Sequence, residues 1–219
     1  MAAAAARGPA EGGIRAHGPQ PAPRLLATRL AAYLARGRDG HCPGFPAFAA
    51  RRGLETLHEL LPELICLRSR QGMLADLSAH RRSSGEAELN CGTQVHGMAA
   101  LLNGIALHGG LLAFGASTII AVDRMRPALR YAAMTDQQVI YLLTDDNMLS
   151  GDNTGGWRPV EQLASLRAMP NMAVFRPADH RETMECLELA LRRTTGPSLL
   201  TLESTPSCPP PRPSANCTG

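Results

Sequence analysis

The sequence predicts an α/β fold in which a parallel sheet carries helices on both faces. The segment VIYLLT, Val139–Thr144, is a continuous apolar run with β-branched residues, which is typical of a strand buried on both faces. Helix-like and strand-like segments also alternate along the middle of the chain, and this order is the one that a parallel sheet requires. The 219 residues are enough for one such domain and exclude two full catalytic domains.

The first predicted elements precede that strand by many residues. Leucines at helical spacing in residues 53–65 predict a helix followed by a short apolar strand that ends near Cys66. Pro62 is expected to end the helix, because proline lacks the amide hydrogen that a helix interior needs. Residues 67–89 are polar, with arginine and serine runs, and predict a loop.

Two more helices are predicted before the strand at residues 139–144. The first spans residues 94–108 and leads to an apolar stretch around residues 111–114. The second spans residues 118–134, with an irregularity expected at Pro127.

After the strand at residues 139–144, predicted helices and strands continue to alternate. A glycine-rich loop leads to a predicted helix over residues 159–168, and residues 172–177 predict a strand. Asp179 is the expected N-cap of the next helix, because its side chain can accept a hydrogen bond from a free amide of the first turn. The last predicted strand is SLLTL, residues 198–202.

The two ends of the chain differ in composition from its middle. We divide it into an Ala/Pro/Arg-rich tail and linker (1–50), a folded domain (51–203) and a disordered Pro/Ser-rich tail (204–219). Organellar import is an alternative for the first segment, but targeting peptides are usually rich in serine and the first serine is Ser69.

Composition also limits the classes of function. A net charge of +3 with scattered arginines argues against nucleic-acid binding, and no apolar run is long enough to span a membrane. Six cysteines lack zinc-ligand spacing and are expected to be free thiols, which favours the reducing cytoplasm.

The predicted helix 94–108 is apolar on nearly all sides. Such a helix is normally buried all round, so we expect one face on the sheet and the other against a second subunit. A fully internal helix is the alternative. Small residues that would permit close backbone approach are Gly97, Ala99, Ala100 and Gly104.

From residue 90 to residue 202 the chain resembles a known enzyme domain. The segments HGMAALLNGIALHGG, MRPALR, PVEQLASLRAMPN and VFRPADHRET are similar in wording, order and spacing to the middle, pyrimidine-binding domain of bacterial-type transketolases. The resemblance implies the pyrimidine-domain fold of thiamine-diphosphate enzymes. It also implies thiamine diphosphate with magnesium as cofactor and transfer of a two-carbon ketol unit between sugar phosphates in pentose phosphate chemistry.

The resemblance covers the central domain alone. Members of the family carry a GDG…N metal motif in a diphosphate-binding domain that precedes this one, and a further C-terminal domain. We find neither here, and no metal ligands are predicted. The string GDNTGG lies in a different loop and is more typical of a turn.

Val95 occupies the position that the resemblance assigns to the main catalytic glutamate. The family has an REH triplet there, and this chain has Gln94-Val95-His96. In the family the glutamate shares a proton with the cofactor pyrimidine, whose amino group then acts as base. Valine has no proton to share.

Other cofactor positions are replaced as well. Aromatic rings are expected around the pyrimidine, whereas this chain has Thr118, Ala121 and Arg124, so ring stacking worth about 1 kcal/mol per pair is lost. Asp123 and Arg126 match the family, but a structural role explains them equally well.

The substrate-binding positions follow the same trend. Asp145 stands where a histidine would meet substrate phosphate, Asn153 replaces an aspartate, and Trp157 replaces a histidine that handles a substrate oxygen. Arg51 matches a phosphate-binding arginine that is retained.

Three functions therefore compete. The first is a catalytically inactive transketolase-like domain, which would be a pseudoenzyme, an interaction module or a relic. The second is one subunit of a split transketolase that a separate chain completes. The third is a new binding function that uses the acidic loop residues Asp145, Asp146 and Asp152 with Trp157. In the first two cases we expect a homodimer, or a transketolase-type partner chain, through helix 94–108.

Overall fold

The computed structural model describes residues 46–70, 88–144 and 159–203. Within these ranges strands and helices alternate, and no helix is long and apolar enough to cross a membrane. The strands are β1 (Leu64–Arg68), β2 (Glu88–Asn90), β3 (Leu112–Thr118), β4 (Val139–Thr144), β5 (Ala173–Phe175) and β6 (Ser198–Leu202). The helices are α1 (Pro46–Leu60), α2 (Val95–His108), α3 (Val122–Met134), α4 (Gln162–Arg167) and α5 (His180–Arg192), and a 3-10 turn at Ile119–Ala121 precedes α3.

The strands form one sheet in the order β2-β1-β3-β4-β6-β5, and every neighbouring pair is parallel. Helices pack on both faces. The predicted α/β class with a parallel sheet is therefore confirmed. Because all strands run the same way, their carboxyl ends lie along one edge of the sheet, where the following helices begin.

Two apolar clusters, one on each face, form the core. Alternate residues of β4 point to opposite faces: Leu142 joins the cluster under α1 and α5, and Tyr141 joins the cluster under α2 and α3. All six residues of β4 are buried. This burial explains why the strand reads as an uninterrupted apolar run.

Helix α1 begins earlier than the leucine pattern suggests. It begins at Pro46, and Ala47 and Ala50 are buried against the core, so residues 46–50 are helical. Proline is favourable at a first helical position, where its missing amide hydrogen costs nothing. The helix ends at Leu60, before Pro62, as predicted. The division of the chain at residues 50 and 203 stays a prediction, because both tails extend outside the described residues.

Several boundaries of the other elements also differ from the prediction. Strand β3 continues to Thr118, where a helix was expected, and α3 runs through Pro127 without interruption. The short strand β2 lies at the end of a predicted loop. Helix α4 has 6 residues, fewer than expected. Gly115, Ala116 and Ser117 have weak strand propensity, so pairing with β1 and β4 determines their conformation.

Asp179 caps α5 as predicted. Its Oδ1 accepts a hydrogen bond of 2.8 Å from the amide of Glu182, and the carboxylate of Glu182 accepts one of 2.8 Å from the amide of Ala178. The pair of bonds differs from a standard capping box, because Glu182 accepts from the residue before the N-cap instead of from the N-cap itself. One bond satisfies an amide of the first helical turn, and the other holds the chain that enters the helix.

Replacing Asp179 with alanine should lower the free energy of unfolding by about 1 kcal/mol, because an amide of the first turn loses its acceptor. Arg181→Ala is the matched control, since it removes only the exposed ion pair with Glu185 and should change stability by less than about 0.5 kcal/mol. Urea unfolding followed by circular dichroism measures both. Equal effects of the two variants would contradict the capping role.

Candidate functional site

The candidate site lies at the carboxyl edge of the sheet, where β1, β3 and β4 end side by side. Helices α2 and α3 both begin at this edge and pack against each other. In open parallel sheets, ligands bind in the crevice outside the carboxyl ends of the strands. The positions that the family resemblance assigns to the cofactor belong to this region.

Val95 is the first residue of α2, and its side chain is 1% exposed. It belongs to the same buried apolar cluster as Met98, Ala121 and Val122. The side chain therefore contributes to the core. A carboxylate in its place would lose its water without gaining an ionic partner from these neighbours.

The structure places the three ring positions at the same edge of the sheet as Val95. Thr118 is the last residue of β3, and Ala121 is buried in the cluster that contains Val95. The Nδ1 atom of His96 donates a 3.2 Å hydrogen bond to the carbonyl oxygen of Arg124, which joins the first turns of α2 and α3. The side chain of Arg124 is exposed. Topology thus assembles these four positions at one edge, although their side chains lack a carboxylate and aromatic rings.

Arg51 lies on the opposite face of the sheet, in α1. Its Nε atom is 3.4 Å from a carboxylate oxygen of Glu55. The amide of Ala47 donates to the carbonyl oxygen of Glu203, which places the start of α1 near the end of β6. Arg51 is therefore separated by the sheet from Val95. The other predicted substrate positions (Asp145, Asn153 and Trp157) lie outside the described residues.

Sequence analysis missed a group of buried hydroxyls at the same edge. The Oγ atoms of Ser69 and Ser117 are 2.9 Å apart, and the hydroxyl of Thr144 donates to the carbonyl oxygen of Ser117 at 3.4 Å. These bonds join the ends of β1, β3 and β4. Each residue lies at or next to the carboxyl end of an apolar strand, and this position was the only available signal.

Asp123 and Arg126, which match the family, form a structural network. Asp123 accepts a 3.2 Å hydrogen bond from the amide of Gln162, and Arg126 donates a 2.8 Å bond to the hydroxyl of Ser165. The network ties α3 to α4. The structure therefore supports the structural interpretation of both residues.

Two thiols, one on each face of the sheet, are poor nucleophiles. Burial raises the pKa of the Cys91 thiol, which lies just before α2. The pKa of Cys186 is raised by burial and by the carboxylates of Glu182 and Glu185. Because the thiolate is the reactive form, both thiols are poorly suited to nucleophilic catalysis.

A buried polar connection sets the position of α2. Asn103 donates a 2.9 Å hydrogen bond to the carbonyl oxygen of Ala128 in α3 and accepts one of 3.4 Å from the hydroxyl of Tyr141 in β4. Burial raises the pKa of Tyr141 above its usual range, so the hydroxyl remains a donor. Helix α2 is therefore held both to α3 and to the sheet.

The residues at this edge do not fit the pyrimidine ring of thiamine diphosphate. Position 95 has the buried side chain of valine, where the family has a carboxylate that shares a proton with the cofactor. The side chains at positions 118, 121 and 124 have no aromatic ring. Over the described residues, no three His, Cys, Asp or Glu side chains form a group that could hold a metal ion.

Comparison with known proteins agrees with the fold. Residues 69–205, more than half of the chain, match the family described as "Transketolase, pyrimidine binding domain". A transketolase of Cereibacter sphaeroides is 46% identical over 189 residues, which is 81% of this chain and 28% of that protein. A transketolase of Sinorhizobium medicae is 48% identical over 114 residues, which is 52% of this chain and 16% of that protein.

Solved structures share the fold. Transketolase from Campylobacter jejuni aligns with a TM-score of 0.69 and 26% identity, over 83% of this chain and 29% of that one. A chain described as "Split gene transketolase, inactive beta4 tetramer" aligns with a TM-score of 0.63 and 20% identity, over 76% of this chain and 53% of that one.

This chain spans less than a third of the length of the two full transketolases whose sequences are compared above. The matched part agrees with the fold on two counts: the family match includes β2 to β6, and the parallel sheet aligns with solved transketolases. The chain belongs to the transketolase family, of which it represents the pyrimidine-binding domain.

Proposed function

We propose that this chain is a catalytically inactive transketolase-type domain that acts as an interaction module. The single observation that carries the proposal is the burial of Val95 within the apolar cluster of α2 and α3. The position that would activate the cofactor is part of the core, so the chemistry has lost its proton-sharing group.

The pattern of retained and replaced residues supports this proposal. Asn103, Asp123 and Arg126 hold α2, α3 and α4 together through hydrogen bonds. Val95 and Ala121, at positions that the family would use for the cofactor, lie in a buried apolar cluster. The packing that forms a domain is kept, and the groups that perform catalysis are replaced.

Titration of the full-length chain with thiamine diphosphate and magnesium tests the proposal. We expect no binding heat up to millimolar cofactor and no turnover of xylulose and ribose phosphates, because the carboxylate and rings are missing. An intact transketolase under the same conditions is the positive control. Micromolar binding or measurable ketol transfer by this chain alone would overturn the proposal.

The interaction surface that we propose is the outer face of α2. Gly97, Ala100, Leu101 and Gly104 are exposed there, and Leu101 is 43% exposed. The helix has no acidic or basic residue apart from histidines near its ends. This exposed face supports a contact with a second subunit over a fully internal helix. An apolar face with small residues permits close approach of a second helix, and its burial contributes about 25 cal/mol per Å².

We expect a homodimer through this face in the absence of another partner. Ala100→Arg should convert it to a monomer, because the long charged side chain would occupy the point of close approach. Ala164→Arg on α4 is the matched control, since Ala164 is also exposed and helical. Sedimentation velocity over a dilution series measures the change. A parent that is monomeric throughout, or an unchanged dimer in Ala100→Arg, would contradict the proposed interface.

A split transketolase is the second candidate. The structural alignment to a split-gene transketolase chain favours it, because that chain is itself described as inactive in a tetramer. If this chain were such a subunit, adding a separate diphosphate-domain protein should produce ketol transfer. We expect no activity in the mixture, since the added protein would not replace the carboxylate that is missing at position 95.

We also propose that the chain functions in the cytoplasm. The thiols of Cys91 and Cys186 are free, which fits a reducing compartment.

A further inference from the structure

No further inference is drawn: the strongest candidate, the exposed apolar side chains of Leu89 at the β2 edge and Leu101 on α2, belongs in part to the α2 face already proposed as an interaction surface, and nothing in the described structure shows what covers the rest.

Discussion

Replacing Val95 with glutamate is expected to lower the free energy of unfolding by about 3–5 kcal/mol without producing ketol transfer. The side chain at this position is 1% exposed and lies in an apolar cluster with Met98, Ala121 and Val122. An introduced carboxylate would lose its hydration and find no ionic partner among these residues. Activity would not return, because catalytic groups that act as a unit are not restored one at a time.

Two control variants separate the effect of burying the new side chain from the effect of its charge. Gln94→Glu places the same side chain at the exposed N-cap of α2, next to the positive end of the helix, and should be neutral or slightly stabilising. Val95→Gln introduces a side chain that is polar and similar in size to glutamate but carries no charge. The difference in the free energy of unfolding between Val95→Gln and Val95→Glu therefore reports the cost of burying the charge.

The pH dependence gives the sign of that cost. Burial should raise the pKa of the introduced carboxyl above its value in the unfolded chain. In acid, both states are protonated and Val95→Glu should resemble Val95→Gln. As the pH rises through the ordinary range of an exposed carboxyl, the unfolded state ionises first, so the stability of Val95→Glu should fall. Urea unfolding at several pH values measures this. A variant that is active, or as stable as the parent at neutral pH, would contradict the prediction.

Strongly patterned elements of the fold were predictable from sequence. The boundaries of β4 and β6 match, because strands buried on both faces are mostly apolar. Helix α2 was predicted to within one residue. The errors lie where local composition does not specify conformation: the alanine-rich start of α1 and the weak strand formers Gly115 to Ser117 take their structure from tertiary contacts.

For the candidate site, the sequence predicted only which of the family's cofactor-binding residues are replaced in this chain. The family resemblance identified Val95, Thr118 and Ala121, but sequence could not show that Val95 and Ala121 share one buried cluster. The contact between Ser69 and Ser117 joins residues that are 48 positions apart. Such contacts are set by the register between β1 and β3, and no local pattern records that register.

The contact of α2 with the sheet at Gly115 provides the second large effect. A Cβ atom at Gly115 would lie 2.5 Å from Cδ1 of Leu102 and 3.2 Å from Cδ1 of Tyr141. Both neighbours are fully buried, so neither can turn into solvent. Gly115→Ala should therefore lower the free energy of unfolding by about 1–3 kcal/mol through overpacking. Leu102→Ala should lower it by about 2–5 kcal/mol through a cavity.

The double variant Gly115→Ala/Leu102→Ala tests whether the two residues share one space. The added methyl should partly fill the cavity, so the combined loss should be smaller than the sum of the single losses by about 0.5–3 kcal/mol. Leu129→Ala is the matched control. Leu129 is as buried as Leu102, but none of the three atoms nearest to a Cβ at Gly115 belongs to it. In the double variant Gly115→Ala/Leu129→Ala, the two losses in the free energy of unfolding should add to within about 0.5 kcal/mol. Chemical unfolding of the five variants completes both cycles. Additive losses for Gly115 and Leu102 would show that α2 does not rest on β3 at this point. Since that contact fixes α2, the positions of Val95 and of the proposed partner face would then need another explanation.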